Sequence, residues 1–267
     1  MLPDGFKPRR IGPREAFAIE RGLSQAVGLM LSDPHEPTPL PAAWPYTQRQ
    51  PLPPLGCREH QRLPGLGGHW RVCSPNGEVP GGSAEPLGGA GGRGGILRAG
   101  DIVLRPYLRG GWVRFLNERT YASPLRFAAE FAVHRALWEA GFPTVEPLGY
   151  AWRRRRLGVE GVFLTHLAQG EPWPRHWNAQ SERLALVDQA LDALCAWGLW
   201  APDLNATNIL MTPSGGILML DWDRARFQPN QNLRSRYEAR LLRSLKKLGA
   251  PESLLHRFRI KEPLHSR

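Results

Sequence analysis

The chain has 267 residues, of which 42% are hydrophobic and 22% are charged, values that are ordinary for a soluble globular protein. This length suffices for one large domain or for two modest lobes, each with its own core. Lys and Arg number 35 against 24 Asp and Glu, which gives a formal net charge of +11. So basic a surface attracts polyanions, and charge alone does not choose among nucleic acid, an anionic membrane leaflet and a phosphorylated lipid.

The three cysteines, Cys57, Cys73 and Cys195, stand far apart and include no CxxC pair. This usage predicts neither a disulfide framework nor a zinc site, and it favours a reducing compartment. The charged start of the chain has no apolar h-region behind it, and the most apolar early stretch, 26–31, is too short to span a bilayer. We therefore expect a cytoplasmic protein that touches any membrane from its surface.

The first third of the chain divides into two regions. Apolar residues about one helical turn apart predict an amphipathic helix at 13–32, so that residues 1–33 form an N-terminal helical segment. Residues 34–87 are rich in Pro and Gly and show little periodicity. Such a composition buries too little apolar surface to fold, and it predicts a flexible insertion.

Regular structure is expected from Gly95 onward. Two short strands around a tight Ala-Gly-Asp turn are predicted at 96–105, and Gly141 is a natural stop for the helix that precedes it. The remaining predicted elements are strands at 145–150, 161–167 and 217–220 and helices at 125–140, 181–197 and 233–248. A strand-rich half at 88–170 followed by a helical half at 171–267 predicts an α+β fold.

The residues that suggest chemistry lie in a polar loop of the helical half. Asp203 is followed five positions later by Asn208, then by a short hairpin that turns at 214–216, and by Asp221 after an apolar strand. Phosphoryl transfer requires positioned cations on the phosphates and a carboxylate that orients and deprotonates the attacking hydroxyl. Asp and Asn also supply the hard oxygen ligands that Mg²⁺ prefers. The alternative interpretation is a polar turn that caps a helix, with Asp221 ending a strand.

This pattern resembles the catalytic loop of protein kinases, D-x-x-x-x-N followed by D-F-G. On that resemblance Asp203 is the catalytic base, and Asn208 and Asp221 are ligands of the Mg²⁺ that accompanies ATP. Kinases also hold the ATP phosphates with a cation on a strand that follows a Gly-rich loop, and they pair this cation with a Glu on the next helix.

Both of these upstream features have candidates in the sequence. The Gly-rich run at 88–95, which includes Gly92 and Gly94, would let backbone N–H groups approach phosphate oxygens. The same composition is also that of a plain linker. Arg105 ends a predicted strand where the cation belongs, and Glu130 lies in the following helix, although an isolated Glu on a helix is more often solvated surface.

The segments around these positions are similar to those of the Kdo (3-deoxy-D-manno-octulosonic acid) kinases, within the lipopolysaccharide-kinase family. The similar segments are Leu-Arg-Pro-Tyr-Leu-Arg-Gly-Gly at 104–111, Gly-Arg-Gly at 92–94, Asp-Leu-Asn-x-x-Asn-Ile-Leu at 203–210, Asp-Trp-Asp at 221–223 and the tail at 232–247. The resemblance covers roughly 92–248 and implies a bilobal protein-kinase-like fold with a small strand-rich N-lobe and a helical C-lobe. It also implies phosphorylation of the 4-hydroxyl of Kdo on lipid A precursor, with ATP and Mg²⁺, at the cytoplasmic face of the inner membrane.

Two positions differ from most kinases. The His that normally stands two residues before the base is Ala201 here, and that His usually braces the loop rather than performing chemistry. The phosphate-binding cation is Arg105 rather than Lys, and Arg can grip phosphate bidentately. Two rival interpretations therefore stay open: a kinase of another acceptor, and a catalytically inactive kinase-like module that binds lipopolysaccharide precursors or a partner.

The excess of basic residues fits an acceptor in an anionic membrane, where each nearby basic residue contributes on the order of 1 kcal/mol of attraction. The last predicted helix carries an apolar stripe and a basic remainder, a pattern typical of a core-facing helix and also of an interfacial one. Arg109 and the run 153–156 are candidates for binding the acceptor's carboxylate or phosphates, although four arginines at a hairpin are more often a solvated turn. Nucleic acid is not expected as a partner, because the ten tryptophans are scattered rather than interleaved with basic residues.

Overall fold

The computed structural model describes residues 55–75, 81–87, 95–108, 120–177, 181–228 and 232–258. The predicted N-terminal helix and the glycines Gly92 and Gly94 lie outside these ranges. The described residues form two compact units. The first contains the described residues up to 139 together with 145–167, and the second contains 140–144 and the residues from 168 onward.

The first unit is built on one sheet of seven strands in the order β1-β2-β6-β7-β5-β4-β3, and all neighbouring strands are antiparallel. The strands are β1 (Gly56–Leu63), β2 (Leu66–Ser74), β3 (Glu85–Pro86), β4 (Leu97–Ala99), β5 (Ile102–Pro106), β6 (Pro147–Arg155) and β7 (Gly158–His166). One helix, α1 (Leu125–Glu139), packs against β6 and β7.

One face of α1 is buried against the sheet. Phe127, Glu130 and His134 are spaced by three and four residues and therefore lie on the same side of the helix. Gly161 on β7 makes this close approach possible, because a Cβ there would lie 2.3 Å from the ring of Phe127. The helix predicted at 125–140 is confirmed, and its packing fixes Glu130 against the sheet.

Strand β5 lies inside the sheet, between β4 and β7. The two strands predicted at 96–105 are β4 and β5, and their turn contains Gly100 at a φ of 64°. On its other side β5 pairs with β7, so that Arg105 stands opposite Phe163. Strands β3 and β4 also pair with each other, so the Gly-rich run joins two neighbouring strands of the sheet.

The prediction that residues 34–87 form a flexible insertion was wrong for its second half. Strands β1, β2 and β3 lie within it and extend the sheet. The overall composition concealed a strand pattern, because Trp70 and Val72 alternate with more polar neighbours and are buried in the core. The pair Pro64-Gly65, with Gly65 at a φ of 68°, forms the turn between β1 and β2.

The expectation that no cysteine is disulfide-bonded was also wrong. Cys57 on β1 and Cys73 on β2 are partners in the strand register and are joined by a disulfide. The two cysteines are 16 positions apart in the sequence, and this spacing does not predict that they pair. The third cysteine, Cys195, is a free thiol. The inference of a reducing compartment relied on the absence of a disulfide and loses that support.

The second unit is mainly helical. Its helices are α2 (Ser181–Ala196), α3 (Leu233–Lys247) and α4 (Glu252–Arg257), with 3-10 turns at Trp173–Arg175 and Ala206–Asn208. Its short strands are β8 (Glu171–Pro172), β9 (Leu199–Trp200), β10 (Ile209–Met211), β11 (Ile217–Met219) and β12 (Arg226–Phe227). They form the sheets β11-β10-β8 and β12-β9. Helix α4 was not predicted, because six residues are too few to show helical periodicity.

The apolar stripe of α3 faces inward. Leu233, Tyr237, Leu241 and Leu245 are all buried, so the core-facing interpretation of this helix is confirmed. Within the described ranges, none of the helices has the length and apolar character needed to cross a bilayer. An antiparallel sheet with one packed helix, followed by a helical unit, is the predicted α+β, protein-kinase-like fold.

The basic run at 153–156 is only partly a solvated turn. The guanidinium of Arg153 donates to Glu160 at 2.9 Å and lies 4.1 Å from the ring centroid of Trp70. Arg155 donates to the same carboxylate at 2.7 Å. Burial opposes the charge of Glu160, but the two arginines outweigh it and hold the pKa of this carboxyl below its usual value. Half of the run therefore forms an ion-pair cluster around the buried carboxylate of Glu160 on β6 and β7.

We predict that Glu160→Gln lowers the free energy of unfolding by about 2 kcal/mol, because it removes the shared partner of two guanidinium groups. Since the pKa of Glu160 is depressed in the folded state, its contribution is present at neutral pH and is lost as pH falls through that depressed value. Chemical denaturation at pH 7 and at acid pH measures both effects. The exposed Glu85→Gln serves as the control, and equal stability of the two variants at pH 7 would contradict the prediction.

Candidate active site

The predicted phosphate-binding pair lies in the first unit. Arg105 on β5 and Glu130 on α1 form an ion pair through Nη2 and Oε1, and the Glu130 side chain is only 1% exposed. Glu130 is therefore not the solvated surface residue that its isolated position in the sequence suggested. The structure brings the two residues together, and their role in binding ATP stays a prediction.

Several neighbours hold the Arg105 guanidinium in place. It lies 5.4 Å from the ring centroid of Tyr107 and 5.5 Å from that of Phe163. His134, one helical turn after Glu130, is buried and hydrogen-bonded to the carbonyl of Val145 at 2.9 Å. Burial first, and then the charge of Arg105, lower the pKa of His134 to about 3. The imidazole is therefore neutral at physiological pH and adds no positive charge beside Arg105.

The predicted catalytic loop lies in the second unit and is ordered by its own asparagines. Asn205 caps the 3-10 turn by accepting a hydrogen bond from the N–H of Thr207 at 2.9 Å. Its Nδ2 donates to the carbonyl of Asp203 at 2.9 Å, and Asn208 Nδ2 donates to the same carbonyl at 3.0 Å. The loop thus contains the capped turn of the alternative interpretation, and this turn fixes the backbone of Asp203.

A hairpin brings the two predicted metal ligands together. Strands β10 and β11 pair around a turn at Gly215, as predicted, and the N–H of Leu220 donates to the carbonyl of Asn208 at 2.8 Å. Asn208 Nδ2 then lies 3.4 Å from Asp221 Oδ2. Asp221 itself has a φ of 68°. Such left-handed backbone in a non-glycine residue is uncommon and is concentrated at functional sites.

Trp222 anchors the segment that carries Asp221. Its side chain is fully buried, and its Nε1 donates to Thr144 Oγ1 at 3.0 Å. The hydroxyl of Thr144 in turn donates to the carbonyl of Met219 at 2.8 Å. The Asp-Trp-Asp motif therefore places its central aromatic residue in the core and leaves the preceding carboxylate beside Asn208.

The donor set at this point fits a magnesium ion. Because Asn208 Nδ2 donates to a backbone carbonyl, its Oδ1 is the atom suited to bind a metal. Asp221 supplies a carboxylate oxygen 3.4 Å from the Nδ2 of the same amide. Mg²⁺ is typically held in this way by one or two protein oxygen ligands together with substrate phosphates and water.

An arginine that sequence reasoning missed holds the predicted base. Arg224 donates to Asp203 through Nε at 2.9 Å to Oδ2 and through Nη2 at 2.5 Å to Oδ1. This fork fixes the plane of the carboxylate, and Arg224 adopts a φ of 62° in doing so. A second guanidinium, that of Arg240 on α3, has its Nη2 at 3.7 Å from Asp203 Oδ1. In the sequence, only the position of Arg224 three residues after Asp221 indicated that it lies near the site.

Helix α3 braces the loop where the usual His is missing. The hydroxyl of Tyr237 accepts from the N–H of Ala201 at 2.9 Å and donates to the carbonyl of Leu199 at 2.7 Å. Burial raises the pKa of Tyr237 well above its usual value, so the hydroxyl stays protonated. Farther along the same helix, Arg240 Nε donates to the carbonyl of Leu204 at 2.7 Å, and Ser244 Oγ accepts from the N–H of Ala206 at 3.1 Å.

The sequence-predicted residues thus fall into two groups. Arg105 and Glu130 form one pair in the first unit, and Asp203, Asn208 and Asp221 form a cluster in the second. In the second group the backbone carbonyl of Asp203 and the carboxylate of Asp221 both lie against the side-chain amide of Asn208.

The chain is similar in sequence to proteins named 3-deoxy-D-manno-octulosonic acid kinase. The chain is 33% identical over 195 residues to the 3-deoxy-D-manno-octulosonic acid kinase of Stenotrophomonas maltophilia strain R551-3, covering 65% of this chain and 74% of the relative. It is 32% identical over 186 residues to that of Xanthomonas oryzae pv. oryzae strain PXO99A, covering 61% and 70%. For the kinase of Xylella fastidiosa strain M12 the identity is 32% over 170 residues, and the match spans 58% of this chain and 66%, just under two thirds, of the relative.

Solved structures resemble the chain more weakly. They include a divergent kinase of the Toxoplasma parasitophorous vacuole that lacks the glycine-rich loop, with 16% identity, a TM-score of 0.39 and coverage of 59% of this chain and 58% of the other. WbdD has 14% identity, a TM-score of 0.38 and coverage of 57% and 34%. No family model matches the sequence. The sequence relatives, which share about a third of their residues with this chain over as much as three quarters of their length, place it in the 3-deoxy-D-manno-octulosonic acid kinase family.

Proposed function

We propose that the chain transfers the γ-phosphate of ATP to the 4-hydroxyl of Kdo on lipid A precursor. The observation that carries the proposal is the cluster of Asp203, Asn208 and Asp221, which unites a clamped carboxylate with two oxygen ligands suited to Mg²⁺. The relatives named 3-deoxy-D-manno-octulosonic acid kinase support Kdo as the sugar that is phosphorylated.

Asp203 acts as the general base in this proposal. Its carboxylate accepts the proton of the attacking hydroxyl and orients that oxygen for in-line transfer. The fork from Arg224 fixes the carboxylate plane, and the carbonyl of the same residue is held by Asn205 and Asn208. Because catalysis of phosphoryl transfer is mostly positioning, this rigidity is the contribution that the loop makes.

Separate residues would hold the metal ion and the nucleotide phosphates. Asn208 and Asp221 would hold Mg²⁺, which when bound neutralises charge on the ATP phosphates. Arg105, fixed by Glu130, would bind phosphate oxygens of ATP through its guanidinium fork. Gly92 and Gly94, in the run between β3 and β4, remain candidates for backbone contacts with the nucleotide.

The acceptor is a sugar acid on a membrane lipid, and we propose that the protein works at the cytoplasmic face of the inner membrane. The buried stripe of α3 leaves Arg243, Lys246 and Lys247 exposed, and such residues attract an anionic leaflet. The alternative of an inactive module rested on Ala201 together with the uncertain Gly-rich loop. Tyr237 braces the loop at Ala201, and the relatives that are named kinases do not favour this alternative.

We predict that Asp203→Asn abolishes phosphate transfer while ATP binding is retained. The change keeps the size of the side chain but removes the base, and loss of a general base lowers the rate by about 10²–10⁴-fold. Transfer of radiolabelled γ-phosphate to a Kdo-bearing lipid A precursor measures the reaction, and thermal shift with Mg²⁺ and ATP measures nucleotide binding. Transfer at the wild-type rate would contradict the role of Asp203.

We predict that Arg105→Ala raises the KM for ATP at least tenfold and leaves the KM for the lipid acceptor nearly unchanged. The variant also leaves the buried Glu130 carboxylate without this guanidinium, which costs stability. The double variant Arg105→Ala/Glu130→Gln removes that buried charge and separates the two effects. Recovery of ATP use together with stability in the double variant would show that Arg105 has only a structural role.

A further inference from the structure

The guanidinium of Arg240 lies beside the base and forms with it a long ion pair rather than a hydrogen bond. Its Nε donates to the carbonyl of Leu204 at 2.7 Å, which fixes the side chain against the loop. Its Nη2 is 3.7 Å from Asp203 Oδ1, beyond normal hydrogen-bond length. The shorter hydrogen bonds to the oxygens of Asp203 come instead from Arg224.

The guanidinium of Arg240 is partly buried, and charges of both signs act on it. Burial lowers the pKa of its guanidinium below the usual value, and the positive charges of Arg243 and Arg224 add to this effect. Asp203 and Asp221 act in the opposite direction without restoring the pKa. An anion bound at this point would offset the burial that opposes the charge of the guanidinium.

We propose that Arg240 is a specificity residue that binds the carboxylate of the acceptor sugar, so that the enzyme selects sugar acids over neutral sugars. This inference rests on the proposed function. A sugar acid carries its carboxylate and its ring hydroxyls on one small ring, so a hydroxyl at Asp203 places the carboxylate within reach of a neighbouring guanidinium. Arginine suits this task because its planar fork matches the geometry of a carboxylate.

The other arginines considered for this task are less suited. Arg153 and Arg155 are already paired with Glu160. Arg109 lies outside the described residues. Arg240 differs from them because its side chain donates a hydrogen bond to the carbonyl of Leu204, the residue that follows Asp203.

The test compares two acceptors that differ only in charge. They are a Kdo-bearing lipid A precursor and the same lipid with the Kdo carboxylate converted to its methyl ester, both in neutral detergent micelles. We expect wild-type kcat/KM to favour the acid by about tenfold to a hundredfold, the range of one charge-assisted hydrogen-bonded contact. In Arg240→Gln this preference falls to about one, and Arg240→Lys retains part of it because the charge remains.

Two controls distinguish a role of Arg240 in selecting the acid from a role in bracing the loop and from an effect of the net charge of the protein. Lys247→Gln removes one exposed charge from the same helix and is expected to keep the wild-type preference. If Arg240→Gln slows transfer to the acid and the ester by the same factor, Arg240 only braces the loop and the inference fails. It also fails if wild type does not distinguish the two acceptors.

A binding measurement keeps the inference testable if the proposed function is wrong. In that case neither lipid is phosphorylated, and equilibrium binding of both lipids is measured with Mg²⁺ and a non-hydrolysable ATP analogue. Tighter binding of the acid, lost in Arg240→Gln and kept in Lys247→Gln, supports the carboxylate site without phosphate transfer. Equal binding of acid and ester by wild type overturns it.

Discussion

The position of the predicted base depends on side chains that reach it from helix α3. The loop from Ala201 to Asn208 contains a single 3-10 turn, so most of its backbone polar groups have no partner in regular structure. Tyr237, Arg240 and Ser244 supply three of those partners, at spacings of three and four residues that place them on one face of the helix. Packing of the apolar stripe of α3 into the core is therefore also what holds the loop in place.

The sequence predicted the parts of the fold that have strong local signals. Helix α1, helix α3 and the hairpin β4–β5 were expected within a few residues of their observed bounds, because periodicity and turn glycines are properties of neighbouring residues. The hairpin β1–β2 was missed because Pro and Gly dominate the average composition of its region. Its own signal was short, consisting of Pro64-Gly65 and the alternation at Trp70 and Val72.

In the candidate site, too, the residues with a local sequence signal were predicted and those without one were missed. Asp203, Asn208 and Asp221 were predicted because their order along the chain forms a motif, and the pair Arg105–Glu130 was predicted from the order of elements. Arg224, Tyr237 and Arg240 were not assigned to the site. Their contacts depend on how α3 packs and on left-handed backbone after Asp221, and neither has a local pattern in the sequence. The surplus of arginine in the composition likewise gave no indication that Arg153 and Arg155 share an internal carboxylate.

Among the described residues, the two edge strands of the seven-stranded sheet have a consequence for association between copies of the chain. An open edge strand offers unpaired N–H and C=O groups to any other strand. At one end β3 has only two residues, and at the other β1 carries Arg58, Glu59 and Arg62 and departs twice from regular register. Short length, charge and irregular pairing are the features by which natural sheets avoid edge-to-edge aggregation. The Cys57–Cys73 bond fastens β1 to its neighbour, so the strand most open to such pairing is also the one that is covalently tied to its own sheet.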